Sequence, residues 1–387
     1  MKINIHLTHD APLHLTSLQL FDFYYAYLQS KNKHNNYQAD ALLRISHEYD
    51  PDPTALNIGF YNRPTTPVEH DKYDIVLLNA DGLGLDSCTE EIYRAVTTHE
   101  NCYFITAAYV DVDHPLANKI IYTPYFIHTR DWMSRPLFPQ FYERSARPKK
   151  PGKNLIFING ANRPHRQYMV DIITDVAGPL VDIRHNSSFS PLTELNPWET
   201  FFETAQDTQF RKFVDRHCGV EGVPVEPPRG YYNNSIPVGI NGSQGLIPPG
   251  YFILDEYWDY RCVIFPETTW YNDSIMVTEK ICKPAITRTI PWPMSGANTD
   301  SLYNQLGMKT AWNLLPDQLQ SYNYEQDHVK RYQMCAEAIK WVGENPDILT
   351  GPEAQAIVEH NYTWFFSNTI ETIGPRQLDS IIQEYIK

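Results

Sequence analysis

Short apolar runs that alternate with helix-length segments constrain this chain more than any other feature of it. Lys2–Leu7 (KINIHL), Ala55–Phe60 (ALNIGF), Asp74–Asn79 (DIVLLN) and Cys102–Val110 (CYFITAAYV) read as strands, with helices over Leu15–Gln29 and Thr89–His99 between them. Strand, polar loop and helix repeating in this way predict a mostly parallel, doubly wound α/β sheet. The same unit starts again at Asn154–Ile158 (NLIFI), followed by the loop NGANRPHR and a helix from about Gln167 to Val176. Two sheets in one chain of 387 residues match the size at which a single core gives way to two domains. The polar, proline-bearing segment Tyr142–Lys153 (YERSARPKKPGK) has no periodicity and is placed as the linker, giving an N-terminal domain over 1–148 and a C-terminal domain over 149–387.

Ser187–Pro249 breaks the rhythm with one helix (Trp198–Arg216) and a long Pro/Gly/Asn-rich run, read as a lid or acceptor-binding insertion. Tyr251–Pro266 returns to strand-like content. Three helices close the chain, over Gln326–Val342, Ala354–Ile370 and Arg376–Tyr385, and such terminal helices are expected to cross back onto the first domain. The net charge of −14 argues against a broad phosphate-tracking surface. The six cysteines form no Cys-x-x-Cys pair, no apolar run approaches a membrane span, and Met1 leads into KINIHL without a signal pattern. These features predict reduced thiols in a soluble, cytoplasmic protein with no membrane insertion.

Chemistry concentrates in Pro266–Asp300, PETTWYNDSIMVTEKICKPAITRTIPWPMSGANTD. It reads as a strand end, a polar loop, and a helix capped by Thr278 with Glu279 and Lys280 in its first turn. A helix start gathers unpaired N–H groups and positive dipole that attract phosphate, Lys280 adds a full charge, and Glu267 and Glu279 offer acceptors for ribose hydroxyls. As an exposed lysine, Lys280 would be removable with little change in folding.

This stretch resembles the donor-binding segment of α1,3-fucosyltransferase-like enzymes, in which an acid ending a strand precedes a polar loop and a Thr-Glu-Lys helix start. Glu267, Thr278, Glu279 and Lys280 are the matching positions, and Lys283-Pro284 continues a Glu-Lys-x-x-Lys-Pro run similar to that of phage-encoded glycosyltransferases. The pattern departs from the family where Glu267 is followed by Thr268 and Thr269 instead of Asn-Ser, with Asn272 and Ser274 as substitutes within a longer loop. The loop after Ile158 resembles the start of the carboxyl domain in the same families, with Arg163 and Arg166 at the matching positions, and a planar guanidinium suits a diphosphate.

The resemblance implies two Rossmann-like domains facing across a cleft, of GT-B type, with a nucleotide-sugar donor held by the second. It implies transfer of the sugar to a hydroxyl, with Arg163, Arg166 and Lys280 on the diphosphate, Glu267 and Glu279 on the nucleoside, and Asn272 and Thr278 also in the donor site. No cofactor or metal is required by this set. The general base of an inverting reaction is expected just past a strand end in the first domain, where Asp10 is the first choice and His9 and Asp81 the others. Asp111-Val112-Asp113 spells a short Asp-x-Asp, read as a capped turn in preference to a cation site, and DGLGLD lacks the third glycine of a dinucleotide fingerprint. The acceptor stays open between a glycan and a hydroxymethylated pyrimidine in phage DNA, for which Arg144–Lys153 is the concentrated basic segment; phage origin would place the protein in the host cytoplasm. The other readings are an inactive sugar- or nucleotide-binding module and a structural phage protein of the same fold. The oligomeric state is left open.

Overall fold

The computed structural model of the protein describes residues 2–8, 24, 43–46, 51–62, 68–79, 90–109, 114–123, 152–159, 164–185, 256–267, 270, 272, 275–367 and 373–386. Two α/β units emerge, the first comprising Met1–His128, Asp273–Thr278 and Ser367–Lys387, the second Thr129–Asn272 and Glu279–Phe366. The expected boundary near 148/149 lies among residues outside the described ones. Two segments expected in the second domain, 273–278 and 367–387, group with the first unit.

In the first unit, β1 (Lys2–Thr8), β2 (Leu43–Ser46), β3 (Ala55–Asn62), β4 (Ile75–Asn79), β5 (Cys102–Thr106) and β7 (Ile120–Tyr122) form one parallel sheet in the order β2-β1-β3-β4-β5-β7. All five residues of β4 are buried: Ile75 and Leu77 pack with Leu378, Ile381 and Ile382, while Val76 and Leu78 pack with Ile92, Ala95 and Val96. A strand covered on both faces is apolar throughout, which is why DIVLLN shows no alternation. One cover is the Glu90–Thr98 helix and the other is the last helix, Ile373–Ile386. That last helix is fastened by the Tyr122 N–H donating to Gln377 Oε1 (2.8 Å) and the Tyr24 hydroxyl donating to Asp379 Oδ1 (3.4 Å).

The strand expected over Cys102–Val110 is interrupted after Thr106, whose hydroxyl accepts the Ala108 N–H at 2.9 Å. The chain then re-pairs as β6 (Ala108–Tyr109), antiparallel to β11 (Ile275–Met276).

In the second unit, β8 (Lys153–Asn159), β9 (Asp182–His185), β10 (Tyr260–Pro266) and β12 (Ile290–Met294) form a parallel sheet in the order β12-β10-β8-β9. Of the strand content expected over Tyr251–Pro266, Glu256–Asp259 makes a helical turn and Tyr260–Pro266 is strand, while 251–255 lie outside the described residues. β12 reads IPWPM, and its two prolines are tolerable because it is an edge strand: Met294 O accepts the Glu267 N–H at 2.9 Å, so the alternate positions 291 and 293 face the unpaired side. The long helices are Pro164–Ala177, His328–Glu344 and Pro352–Phe366, and the first two pack together over Phe157, Ile264 and Trp292. The helices expected over Leu15–Gln29, apart from helical Tyr24, and over Trp198–Arg216 lie outside the described residues, as does the run 186–250.

Gly59 in β3 carries a steric requirement. A Cβ there would meet the Tyr73 ring at 2.6 Å, and that buried ring is set edge-on to Tyr61 at 6.3 Å. Gly59→Ala is expected to destabilise the first unit by about 1–3 kcal/mol through overpacking, read as a lower urea midpoint with an unchanged slope; an unmoved midpoint would show that Tyr73 can shift without loss.

Candidate functional site

In both sheets the strand order reverses beside the first strand, at β1/β3 and at β8/β10, and ligands of open α/β sheets bind at the carboxyl ends of strands at such a reversal. At the second reversal the residue directly after β10 is Glu267, whose carboxylate is fully buried. One oxygen accepts the Tyr303 hydroxyl, and the other faces the Lys280 ammonium at 3.5 Å. Burying a carboxylate without partners costs several kcal/mol, so this pairing is a condition of the fold at this edge. Lys280 is 18 % exposed, whereas Arg166, Glu267 and Thr278 are buried.

Arg166 lies in the first turn of the Pro164–Ala177 helix, just past β8, and is 4 % exposed. Its guanidinium turns back across the strand ends, donating from Nε and Nη2 to Glu267 O (3.3 and 3.1 Å) and from Nη1 to Asn159 Oδ1 (3.4 Å). The bonds continue from Asn159 Nδ2 to His185 Nδ1 (2.7 Å), from His185 Nε2 to Gln167 Oε1 (3.2 Å), and from Gln167 Nε2 to Asp171 Oδ1 (3.2 Å). His165 packs on Trp270 with ring centroids 4.6 Å apart, and its Nε2 lies 3.4 Å from Glu267 O.

Asn272, expected in the donor site, is a strut. Its Oδ1 accepts the Ala297 N–H (2.8 Å) and Arg331 Nη1 (2.9 Å), and its Nδ2 donates to Gln326 O (2.7 Å). Arg331, on the His328–Glu344 helix, also donates to Ser295 O (2.9 Å), Glu325 O (2.8 Å) and Trp270 O (3.3 Å), tying the loop after β10 to the loop after β12. Burial holds this guanidinium below its ordinary pKa.

Thr278 is buried and groups with the first unit. Glu279 opens a 3-10 turn, Glu279–Ile281, leading into the five-residue helix Cys282–Ile286, which begins at Ile281 without a side-chain cap. The capped helix expected at Thr278 is therefore a short, mixed turn, because Pro284 lacks the N–H that a regular α-turn would direct at the carbonyl of residue 280.

The structure thus brings Arg166, Glu267 and Lys280 together and sets Asn272 to bracing the adjoining loop. Asp10, His9, Asp81, Arg163, Asp111 and Asp113 lie outside the described residues. Among the described residues no group of three His, Cys, Asp or Glu side chains could hold a metal ion, and no helix is long and apolar enough to cross a membrane.

Tyr303, Arg331, His185 and Asp300 were not legible as site residues. Asp300 is buried and accepts the hydroxyls of Thr310 and Tyr322 (2.8 Å to the latter), while Tyr322 accepts Trp292 Nε1 at 3.0 Å. Desolvation pushes the Asp300 carboxyl up to about 6, the two hydroxyls opposing the rise, and it lifts the Tyr322 phenol well above its ordinary range.

No family model matches the chain, and no curated protein matches it. Solved structures to which it is similar include a glycosyltransferase from Rickettsia africae ESF-5, with 10 % identity over 100 % of this chain and 99 % of that one, TM-score 0.44. Anabaena Alr3699/HepE in complex with UDP shares 10 % identity over 99 % and 100 %, TM-score 0.43. An α1,3-fucosyltransferase with GDP-fucose shares 12 % identity over 100 % and 90 %, TM-score 0.36. At these scores the chain's function has to be argued from its own residues.

Asp300 gives this region a pH signature. Its folded pKa lies above the unfolded value, so the stability it contributes is complete below about 4 and is lost as pH rises through about 6. Comparing urea unfolding of the wild type and Asp300→Asn at several pH values is expected to show a wild-type loss of about 3 kcal/mol across that window that the variant lacks; parallel curves would mean that Asp300 does not titrate there.

Proposed function

We propose that the chain is a glycosyltransferase of GT-B type, binding a nucleotide-sugar donor at the carboxyl ends of β8 and β10 and moving the sugar to a hydroxyl acceptor. The observation that carries this reading is the Lys280 ammonium, the accessible cation beside the end of β10, held 3.5 Å from the buried Glu267 carboxylate. A preorganised cation at a strand-order reversal suits a diphosphate whose negative charge grows as it leaves. Lys280 and Arg163 serve the diphosphate, and Glu279 serves the ribose hydroxyls. Arg166, Glu267 and Asn272, first expected on the donor, hold the edge in shape.

In the transfer, the acceptor oxygen bonds to the anomeric carbon as the bond from that carbon to the diphosphate breaks. The acceptor proton passes to a base of the first unit, with Asp10 ahead of His9 and Asp81. A lysine and an arginine can carry the diphosphate charge without a divalent ion. The acidic balance favours a glycan hydroxyl over a hydroxymethylated pyrimidine in duplex DNA, since −14 net charge opposes approach to a polyanion.

Calorimetric titration with GDP, UDP, CDP, ADP and their sugars tests the donor. At least one should bind, and binding to none would remove the reading, whereas binding without transfer to any hydroxyl would leave a sugar-nucleotide binding module. Lys280→Ala alone is no longer a folding-neutral probe, because it strips a buried carboxylate of its cation at a cost of about 3 kcal/mol. Glu267→Gln with Lys280→Met removes both charges together. It is expected to stay folded and to bind the nucleoside diphosphate roughly tenfold more weakly, the size of one lost charged hydrogen bond.

Salt decides the acceptor. Transfer should be insensitive to salt for a glycan, whereas a log–log slope of several times about −0.9 with hydroxymethylated duplex would move the acceptor to DNA.

A further inference from the structure

Arg166 is a buried cation whose position depends on partners that reach it through other side chains. Every link of that chain has its direction imposed. A guanidinium only donates, so Asn159 must present Oδ1 to Arg166 and its amide nitrogen to His185, 2.7 Å away. His185 Nδ1 is therefore the acceptor, and the proton of the neutral ring sits on Nε2, where Gln167 Oε1 lies at 3.2 Å. Gln167 then has its amide N–H for Asp171 Oδ1 at 3.2 Å. With a proton on Nδ1, His185 would set N–H against N–H at Asn159; turning Asn159 over would set its amide against the guanidinium.

Asn159, Arg166, Gln167, Asp171 and His185 are all buried, so a mis-set link has no water to repair it. The chain also sits where it can matter, at the ends of β8 and β9 and in the first turns of the Pro164–Ala177 helix, with Arg166 holding the carbonyl of the residue whose carboxylate faces Lys280.

We infer that His185 is a positioning residue for the donor edge of the second unit, acting as the neutral Nε2–H tautomer in a one-way hydrogen-bond chain that fixes Arg166 across the reversal between β8 and β10. The inference rests on the donor site proposed above. It assigns a task to a residue at the end of a four-residue strand that no motif marks.

Two measurements on the full chain test it. Proton–nitrogen correlation spectra of the labelled protein, with the His185 ring assigned by its loss in His185→Asn, should show protonation at Nε2; protonation at Nδ1 would overturn the inference. Titration with GDP and UDP should find His185→Leu about tenfold weaker than wild type, with a raised KM for the nucleotide sugar and a nearly unchanged kcat. In His185→Asn, the Oδ1 atom takes the place of Nδ1 and can accept from Asn159, so most of the affinity should return. Equal affinities for the Leu and Asn variants would overturn the inference, as would wild-type affinity in the Leu variant. A wild type that binds neither nucleotide, nor any other on the panel, fails the donor reading and this inference together. A wild type that binds while the variants are indistinguishable from it fails the inference alone.

Discussion

A carboxylate removed from water must find its hydrogen-bond partners inside the protein, and at Glu267 that requirement organises the second unit. Its N–H donates to Met294 O at the end of β12, its carbonyl accepts from Arg166, and its carboxylate accepts from Tyr303 and faces Lys280. One residue therefore ties together the ends of β10 and β12, the helix after β8, the Thr299–Gln305 helix and the turn that carries Lys280. None of these contacts can be lost without leaving a buried polar group unmade, so the geometry of the edge is cooperative: the strands cannot be in register while the cation is elsewhere.

The two sheets solve the same problem twice. Reading outward from the first strand, the first unit runs β2-β1-β3-β4 and the second β9-β8-β10-β12, the same order in different residues. That order creates a reversal beside the first strand of each sheet, where the chain leaves on both sides and the strand ends are open to a ligand. At the second reversal the strand ends carry Asn159, His185 and Glu267, all buried and polar, in a network fully within the second unit. No sequence repeat betrays the shared order, because topology is set by where apolar runs fall and not by which residues fill them.

Much of this was legible in the sequence where the signal was local. DIVLLN and NLIFI declared their strands because buried parallel strands are continuous apolar runs, ALNIGF showed Leu56, Ile58 and Phe60 at every second position, and the Pro164–Ala177 helix followed its loop as expected. β12 is not legible in the sequence because prolines at 291 and 293 argue against a strand, and only the sheet order shows that both fall on the free edge. β9 is four residues long, with Asp182 and Arg184 among them, and carries no pattern to find. At the site, Glu267 and Lys280 stood out by spacing, but their relation to each other did not: nothing in the sequence shows that an acid and a lysine thirteen positions apart face each other as an ion pair. Tyr303, Arg331 and His185 come from elements far along the chain, and their roles exist only once those elements are packed.

How charge is held at this edge bears on what the edge can bind. Arg166 donates to a backbone carbonyl and a side-chain amide, and Arg331 to four backbone carbonyls and the Asn272 amide oxygen. These bonds fix the two guanidinium groups around the ends of β8, β10 and β12. In a molecule of net charge −14 a diffuse attraction for anions is ruled out, so affinity for a diphosphate has to be local and preorganised. Two fixed, buried arginines with Lys280 toward the surface of the cluster are a local and preorganised arrangement of the kind the proposed donor site needs.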